Sequence, residues 1–231
     1  MTINYQAFLR LLQLSSPTLP LGAYSYSEGL EWLVMAHIQD AIALQHWLTM
    51  ELTYGAIRTE AAVMARAYRY HQDLERLTYW NDWLIASKET KELRLQTNQM
   101  GKSLIRLLVQ LSDRDPHHYP NYFEQLQDHL EDGCSYPIAF GVAAAQWQID
   151  LDLALPAYLH SWANNLVNGG VKLIPLGQTA GQQILWQLNP IIEAQAPMLL
   201  GLEDDQLYSC TMGSSLASMN HEQQYTRLFR S

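Results

Sequence analysis

The sequence is poor in charge: 16% of its 231 residues are Asp, Glu, Lys or Arg, and Lys and Arg together number 14 against 23 acidic residues. That shortage of cations, with a formal net charge of -9, excludes the clustered basic surface needed to neutralise nucleic-acid phosphates. Cysteine is scarce too. Cys134 and Cys210 lie far apart, form no C-x-x-C pair and match no zinc-knuckle spacing, so a reduced, cytoplasmic setting is the expectation. No window offers the roughly 18 consecutive apolar residues that span a bilayer. The opening Met1-Thr2-Ile3-Asn4-Tyr5 lacks a basic stretch leading into an apolar run, so no signal peptide is expected. Alternating β-branched segments are missing as well, which removes the pattern of a β fold.

What is present is helical periodicity. Leu93, Thr97, Met100, Leu104, Leu107, Leu108 and Leu111 step by three and four and predict one long amphipathic helix. Leu44, Trp47, Leu48 and Leu52 form a second stripe behind Asp40, a residue suited to capping a first turn. Leu155, Leu159, Trp162 and Leu166 make a third, with Pro156 near its start, and Gly181, Ile184, Leu185, Leu188 and Ile191 a fourth that Pro190 should kink or end. Breakers fall at 15–22, at Asp113-Arg114-Asp115-Pro116, at 133–137 and at Gly169-Gly170. The expected fold is all-α: a single-domain bundle of roughly eight to ten helices over residues 1–202, with the helices of 155–190 near its centre. Residues 203–231 read as a polar, flexible tail. Its last residues, Tyr225-Thr226-Arg227-Leu228-Phe229-Arg230-Ser231, restore aromatic, aliphatic and cationic side chains, so they are expected to dock on a partner or on the chain's own body.

Each pattern that could carry catalysis fails a chemical requirement. Met100-Gly101-Lys102-Ser103 ends like a phosphate loop, but Gln96 stands where that loop needs glycine, and a mid-helix position consumes the amides that would cradle phosphate. His221-Glu222-Gln223-Gln224-Tyr225 begins like a zinc-protease helix and then has Tyr in place of the second histidine ligand. Adjacent His117 and His118 point apart in any regular element, and they and His129 read as solvated or core-bonded. Neither cysteine is tied to a histidine, and Gly22-Ala23-Tyr24-Ser25-Tyr26 is no nucleophile elbow. The acidic pairs at 113/115 and 203–205 fall in loops or tail, which weakens the alternative of an all-α metal-dependent enzyme with acidic helices. Lys172 is a lone cation within Val171-Lys172-Leu173-Ile174, expected to snorkel to solvent or to meet an acidic partner.

Four collinear blocks carry a resemblance. The stretch from Leu11 to Glu31, containing Ser15-Ser16-Pro17-Thr18-Leu19-Pro20-Leu21-Gly22-Ala23-Tyr24-Ser25, is similar to the N-terminal signature of the urease accessory UreF family. Lys88-Glu89-Thr90-Lys91-Glu92-Leu93-Arg94 resembles that family's central helix start, which more often has Arg where Lys91 stands. Tyr136-Pro137-Ile138-Ala139-Phe140-Gly141 looks like its Pro-containing helix start, where the family often has His in place of Ser135. Val171 to Gln182 and the closing Arg227-Leu228-Phe229-Arg230-Ser231 also resemble the family.

The resemblance implies an all-α accessory protein that catalyses nothing. It would dimerise, bind UreD (also called UreH), recruit the GTPase UreG and act with them on apo-urease as nickel is inserted. It also implies that the GTPase carries the nickel, so no cofactor is expected to be held here, and neither nucleic acid nor membrane is an expected partner. Regulation of another GTPase is the remaining alternative. Partner-binding roles are expected for Tyr24, Glu28, Lys172, Arg227, Phe229 and Arg230, with Tyr24 touching Arg230 when the tail docks.

Overall fold

A computed structural model describes residues 4–112, 121–130 and 133–231. Asp113 to Pro116 and the His117-His118 pair lie outside the described residues. The described residues form eleven α-helices, two 3₁₀ turns and no strand. In chain order the helices are α1 (Tyr5–Leu14), α2 (Leu30–Ala36), α3 (Ala41–Tyr54), α4 (Ala56–Arg69), α5 (Leu74–Ser87), α6 (Lys91–Ser112), α7 (Tyr122–His129), α8 (Tyr136–Gln146), α9 (Leu151–Leu173), α10 (Gln178–Leu200) and α11 (Met212–His221).

Local chemistry sets many of these boundaries. Asp40 accepts the amide of Ala43 at 2.8 Å and starts α3, and Asp73 does the same for Arg76 at the head of α5. Pro137 sits in the first turn of α8, where a missing amide costs nothing. The long stripe of 93–111 forms α6, with Met100, Leu104, Ile105 and Leu108 buried.

The centre of the bundle differs from expectation. α4 and α8 are its most enclosed elements, with Ala61 to Ala65 and Ile138 to Ala144 buried on every side, while α9 and α10 pack beside them. α8 is short and alanine-rich, so it has almost no amphipathic contrast to betray its place. Two supposed breakers break nothing. Gly169 and Gly170 lie within α9, and a Cβ on Gly170 would sit 2.4 Å from Cδ2 of Leu44, so the glycine lets α3 approach α9 closely. α10 also runs past Pro190 and Pro197, both on its exposed face, because its opposite face buries Ile184, Leu185, Leu188, Ile192, Ala196 and Leu199.

The segment 203–231 folds back over the body. Glu203 caps the 3₁₀ turn Asp204–Gln206, Asp204 pairs with the buried Arg66 at 2.6 Å, and α11 packs on α2. Its Met-Gly-Ser-Ser-Leu composition hides that last helix from a periodicity search.

Candidate functional site

Residues 222–231 form a strap across α2 and α6. Glu31, in the first turn of α2, holds it by the backbone: Oε1 accepts the amide of Leu228 at 2.7 Å and Oε2 that of Phe229 at 2.9 Å. Glu92, in the first turn of α6, pairs with Arg227, and its own amide donates to Glu222 at 2.9 Å. The buried imidazole of His221 lies between these carboxylates, with Nδ1 2.8 Å from Glu92 and Nε2 3.3 Å from Glu31. Further along, the amide of Arg230 donates to Ser25 at 2.8 Å, and the amide of Ser27 donates to Ser231 at 2.7 Å. Phe229 is 5% exposed and Ser231 1%. The preceding helix α11 also lies close to the body: Gly29 has φ +83°, and a Cβ there would stand 2.9 Å from the Ser218 amide nitrogen.

Beneath the strap, the N-terminal signature loop lines a cavity of about 60 Å³ whose walls include Pro17, Leu19, Glu28, Glu60, Lys88 and Trp162. Lys88 and Glu60 form an ion pair with both side chains largely buried, and the Tyr158 hydroxyl donates to the other Glu60 oxygen at 3.1 Å. Glu28, at φ +53°, takes Nε1–H of Trp162 at 2.9 Å and Nε2–H of Gln96 at 2.8 Å. Burial, then repulsion from Glu60, pushes the Glu28 carboxyl above the usual range, against the pull of its Trp162 bond, Lys88 and Gln96. Burial alone would pull Lys88 down, but Glu60 and then Glu28 carry it above the ordinary lysine value. The layers connect through Gln96, which accepts the hydroxyl of Ser231 and donates to Glu28. This chemistry holds conformations in place: the carboxylates are committed to ion pairs and amides. Among the described residues no group of three or more His, Cys, Asp and Glu is arranged to hold a metal ion.

A family model described as UreF matches residues 38–189. The chain is 54% identical to the urease accessory protein UreF of Nostoc sp. (strain PCC 7120 / SAG 25.82 / UTEX 2576), an alignment covering 100% of this chain and 98% of the relative. The chain belongs to the UreF family. It is also 50% identical to the urease accessory protein UreF of Synechocystis sp. (strain ATCC 27184 / PCC 6803 / Kazusa), over 99% of this chain and 100% of the relative. With the protein of that name from Alcanivorax borkumensis, identity is 40% over 99% and 100%. The strap and the signature loop lie outside the stretch matched by the family model and inside these full-length alignments.

The UreF resemblance named six partner-binding residues, and the structure gathers five around the strap. Arg227, Phe229 and Arg230 belong to it, Tyr24 stands beside its end, and Nζ of Lys172 lies 5.8 Å from the centre of the Phe229 ring. Lys172 thus snorkels from α9 onto the strap. Tyr24 is 71% exposed, and the link between its turn and Arg230 runs through the Ser25 carbonyl. Glu28 alone turns its carboxylate inward, to Trp162 and Gln96. Sequence reasoning missed Glu31, Glu92 and His221 as anchors, although Glu31 and Glu92 fall inside the quoted blocks. The incomplete zinc-helix motif has a structural meaning: His221 is committed to two carboxylates. The phosphate-loop look-alike does too, since a Cβ on Gly101 would lie 2.0 Å from the Cys134 carbonyl oxygen.

Proposed function

We propose that the chain serves urease maturation as a non-catalytic, cytoplasmic scaffold that binds UreD/UreH, recruits UreG and so controls GTP-dependent nickel delivery to apo-urease. On this reading it acts as a homodimer within the complex, and nickel is handled by the assembly without a stably bound ion or cofactor here. The observation that carries the reading is an excess of apolar surface on two helices of a UreF-family protein. α1 turns Tyr5, Phe8, Leu9 and Leu12 outward at helical spacing, and α11 does so with Met212, Leu216 and Met219. A chain so short of charge leaves such stripes exposed at a solubility cost that a permanent partner would remove. Tyr24, Tyr225, Arg227, Leu228 and Arg230 add an exposed aromatic and cationic edge at the strap, a composition enriched in binding hot spots.

Co-purification with UreD/UreH and nickel-loaded UreG, comparing the full chain with one ending before Tyr225, tests the reading. The full chain should form the ternary complex and the shortened one should lose it. Failure of the full chain to bind either protein would overturn the scaffold reading itself.

A further inference from the structure

The cavity under the signature loop is lined by two unlike sets of side chains. One is apolar: Leu19 and Leu21 from the loop, Leu93 and Met100 from α6. The other carries donors and acceptors. An ammonium has three N–H groups, and among the described residues the single hydrogen-bond partner of Lys88 is Glu60. Two donors are left for the cavity that Lys88 lines. Glu28 lines it as an acceptor: its oxygens each take one N–H, from Gln96 and from Trp162, and each keeps a second lone pair. Lys88 is 6% exposed, so whatever completes its bonds must sit inside the cavity.

Charge and size narrow what fits. Glu28 and Glu60 repel an anion, and the Lys88 ammonium repels a cation. A neutral molecule with a C=O and an N–H side by side meets both needs, since the carbonyl accepts from Lys88 while the N–H donates to Glu28. A cavity of about 60 Å³ holds roughly four to six waters at about 10–15 Å³ each, or one organic molecule of about four non-hydrogen atoms. A short alkyl group on that molecule matches the apolar side chains, which water does not. Pro17 is exposed and Leu19 and Ala23 are half-buried, so the loop separates the cavity from solvent and a small molecule enters past it.

We propose that this cavity is a binding site for a small neutral primary amide, its carbonyl on Lys88, its NH2 on Glu28 and its alkyl group against Leu19 and Met100. The site belongs to the chain alone and is independent of the scaffold reading.

Acetate, acetamide and acetamidinium share one shape and differ in charge and hydrogen-bond pattern, so titrating each into the nitrogen-15-labelled full chain at neutral pH tests the proposal. The Trp162 indole N–H is the reporter, because it donates to Glu28 at the cavity wall. Acetamide should shift that signal saturably at millimolar concentration, as suits a ligand of four non-hydrogen atoms. It should bind at least about fivefold more tightly than either charged isostere. A nuclear Overhauser effect between the acetamide methyl and the Met100 methyl should place the ligand inside. The absence of a saturable shift would leave water as the occupant and overturn the site. Equal or tighter binding of acetate or acetamidinium, or methyl contacts to surface residues in place of Met100, would overturn it as well.

Discussion

The Lys88 cluster and the His221 cluster use the same chemistry, carboxylates facing cations, yet their partners come from different parts of the chain. In the first, Lys88 follows α5, Glu60 lies on α4 and Tyr158 on α9, so every member belongs to the bundle. In the second, Glu31 and Glu92 belong to the bundle, while His221 and Arg227 arrive with the last residues of the chain. Breaking the first cluster strands charge inside a packed core. Breaking the second lets one segment leave and take its cation into water. A buried ion pair adds little net stability over an apolar pair, but losing one partner is costly because the other stays buried. Anchorage of the strap can therefore change without endangering the bundle.

The largest effect expected from this contrast is at Lys88. Lys88→Met leaves Glu60 and Glu28 facing each other around the cavity, and the unfolding free energy in urea should drop by roughly 3–5 kcal/mol. Adding Glu60→Gln should recover more than half of that loss, since the stranded charge rather than the missing attraction is the main cost. A Lys88→Met protein within about 1 kcal/mol of the native one would mean that water reaches the pair freely, and the contrast between the clusters would fail.

Glu51 sharpens the comparison, as a bundle carboxylate that forms no ion pair among the described residues. It lies buried on α3, accepts the hydroxyl of Ser214 from α11, and has Thr211 at 3.5 Å. Burial first, then repulsion from Glu28, pushes its carboxyl up to about 7, against the Ser214 bond. The folded chain thus binds this proton more tightly than the unfolded chain, whose glutamate titrates near 4.5. Stability from this group is fully present below about 4.5 and is lost as pH rises through about 7. Unfolding free energy should accordingly fall by up to roughly 3 kcal/mol between about pH 5 and pH 8. Glu51→Gln should flatten that slope when denaturant midpoints are measured across the range. A native profile that rises over the same interval would show that Glu51 is ionised in the fold.

Much of this architecture was legible in the sequence because helices announce themselves by contrast between their faces. α3, α6, α9 and α10 bury one stripe each, and Asp40 caps where its type predicts. α8, near the middle of the bundle, has almost no such contrast, and α4 buries mainly alanines rather than a stripe of large side chains, so neither marked the centre. Gly170 and Pro190 misled for a related reason: a glycine or proline is read as punctuation until the neighbouring helix, or the exposed face, is known. The site was legible as blocks rather than as contacts. Arg227, Phe229 and Arg230 stood out as an aromatic and cationic ending on a polar segment. Glu31 and Glu92 looked like ordinary first-turn acids, favoured there by the helix dipole. Their second role depends on residues more than 120 positions away, a pairing that no local pattern encodes.

The smallest expected effect is at Arg227, and it bears most directly on the contrast between the clusters. Its side chain is 35% exposed and that of Glu92 is 16% exposed, so the attraction is partly screened by solvent and should contribute no more than about 1 kcal/mol. Arg227→Ala leaves Glu92 paired with His221, and it leaves the Leu228 and Phe229 amides on Glu31. The unfolding free energy in urea should therefore stay within about 1 kcal/mol of native, while exchange at the strap amides quickens by a few-fold at most, on the order of two to five times. That increase should shrink as salt is added, because salt weakens the native pair and has nothing to weaken in the variant. A loss of unfolding free energy as large as that of Lys88→Met would mean that strap and bundle unfold as one unit, and the contrast between the two clusters would fail.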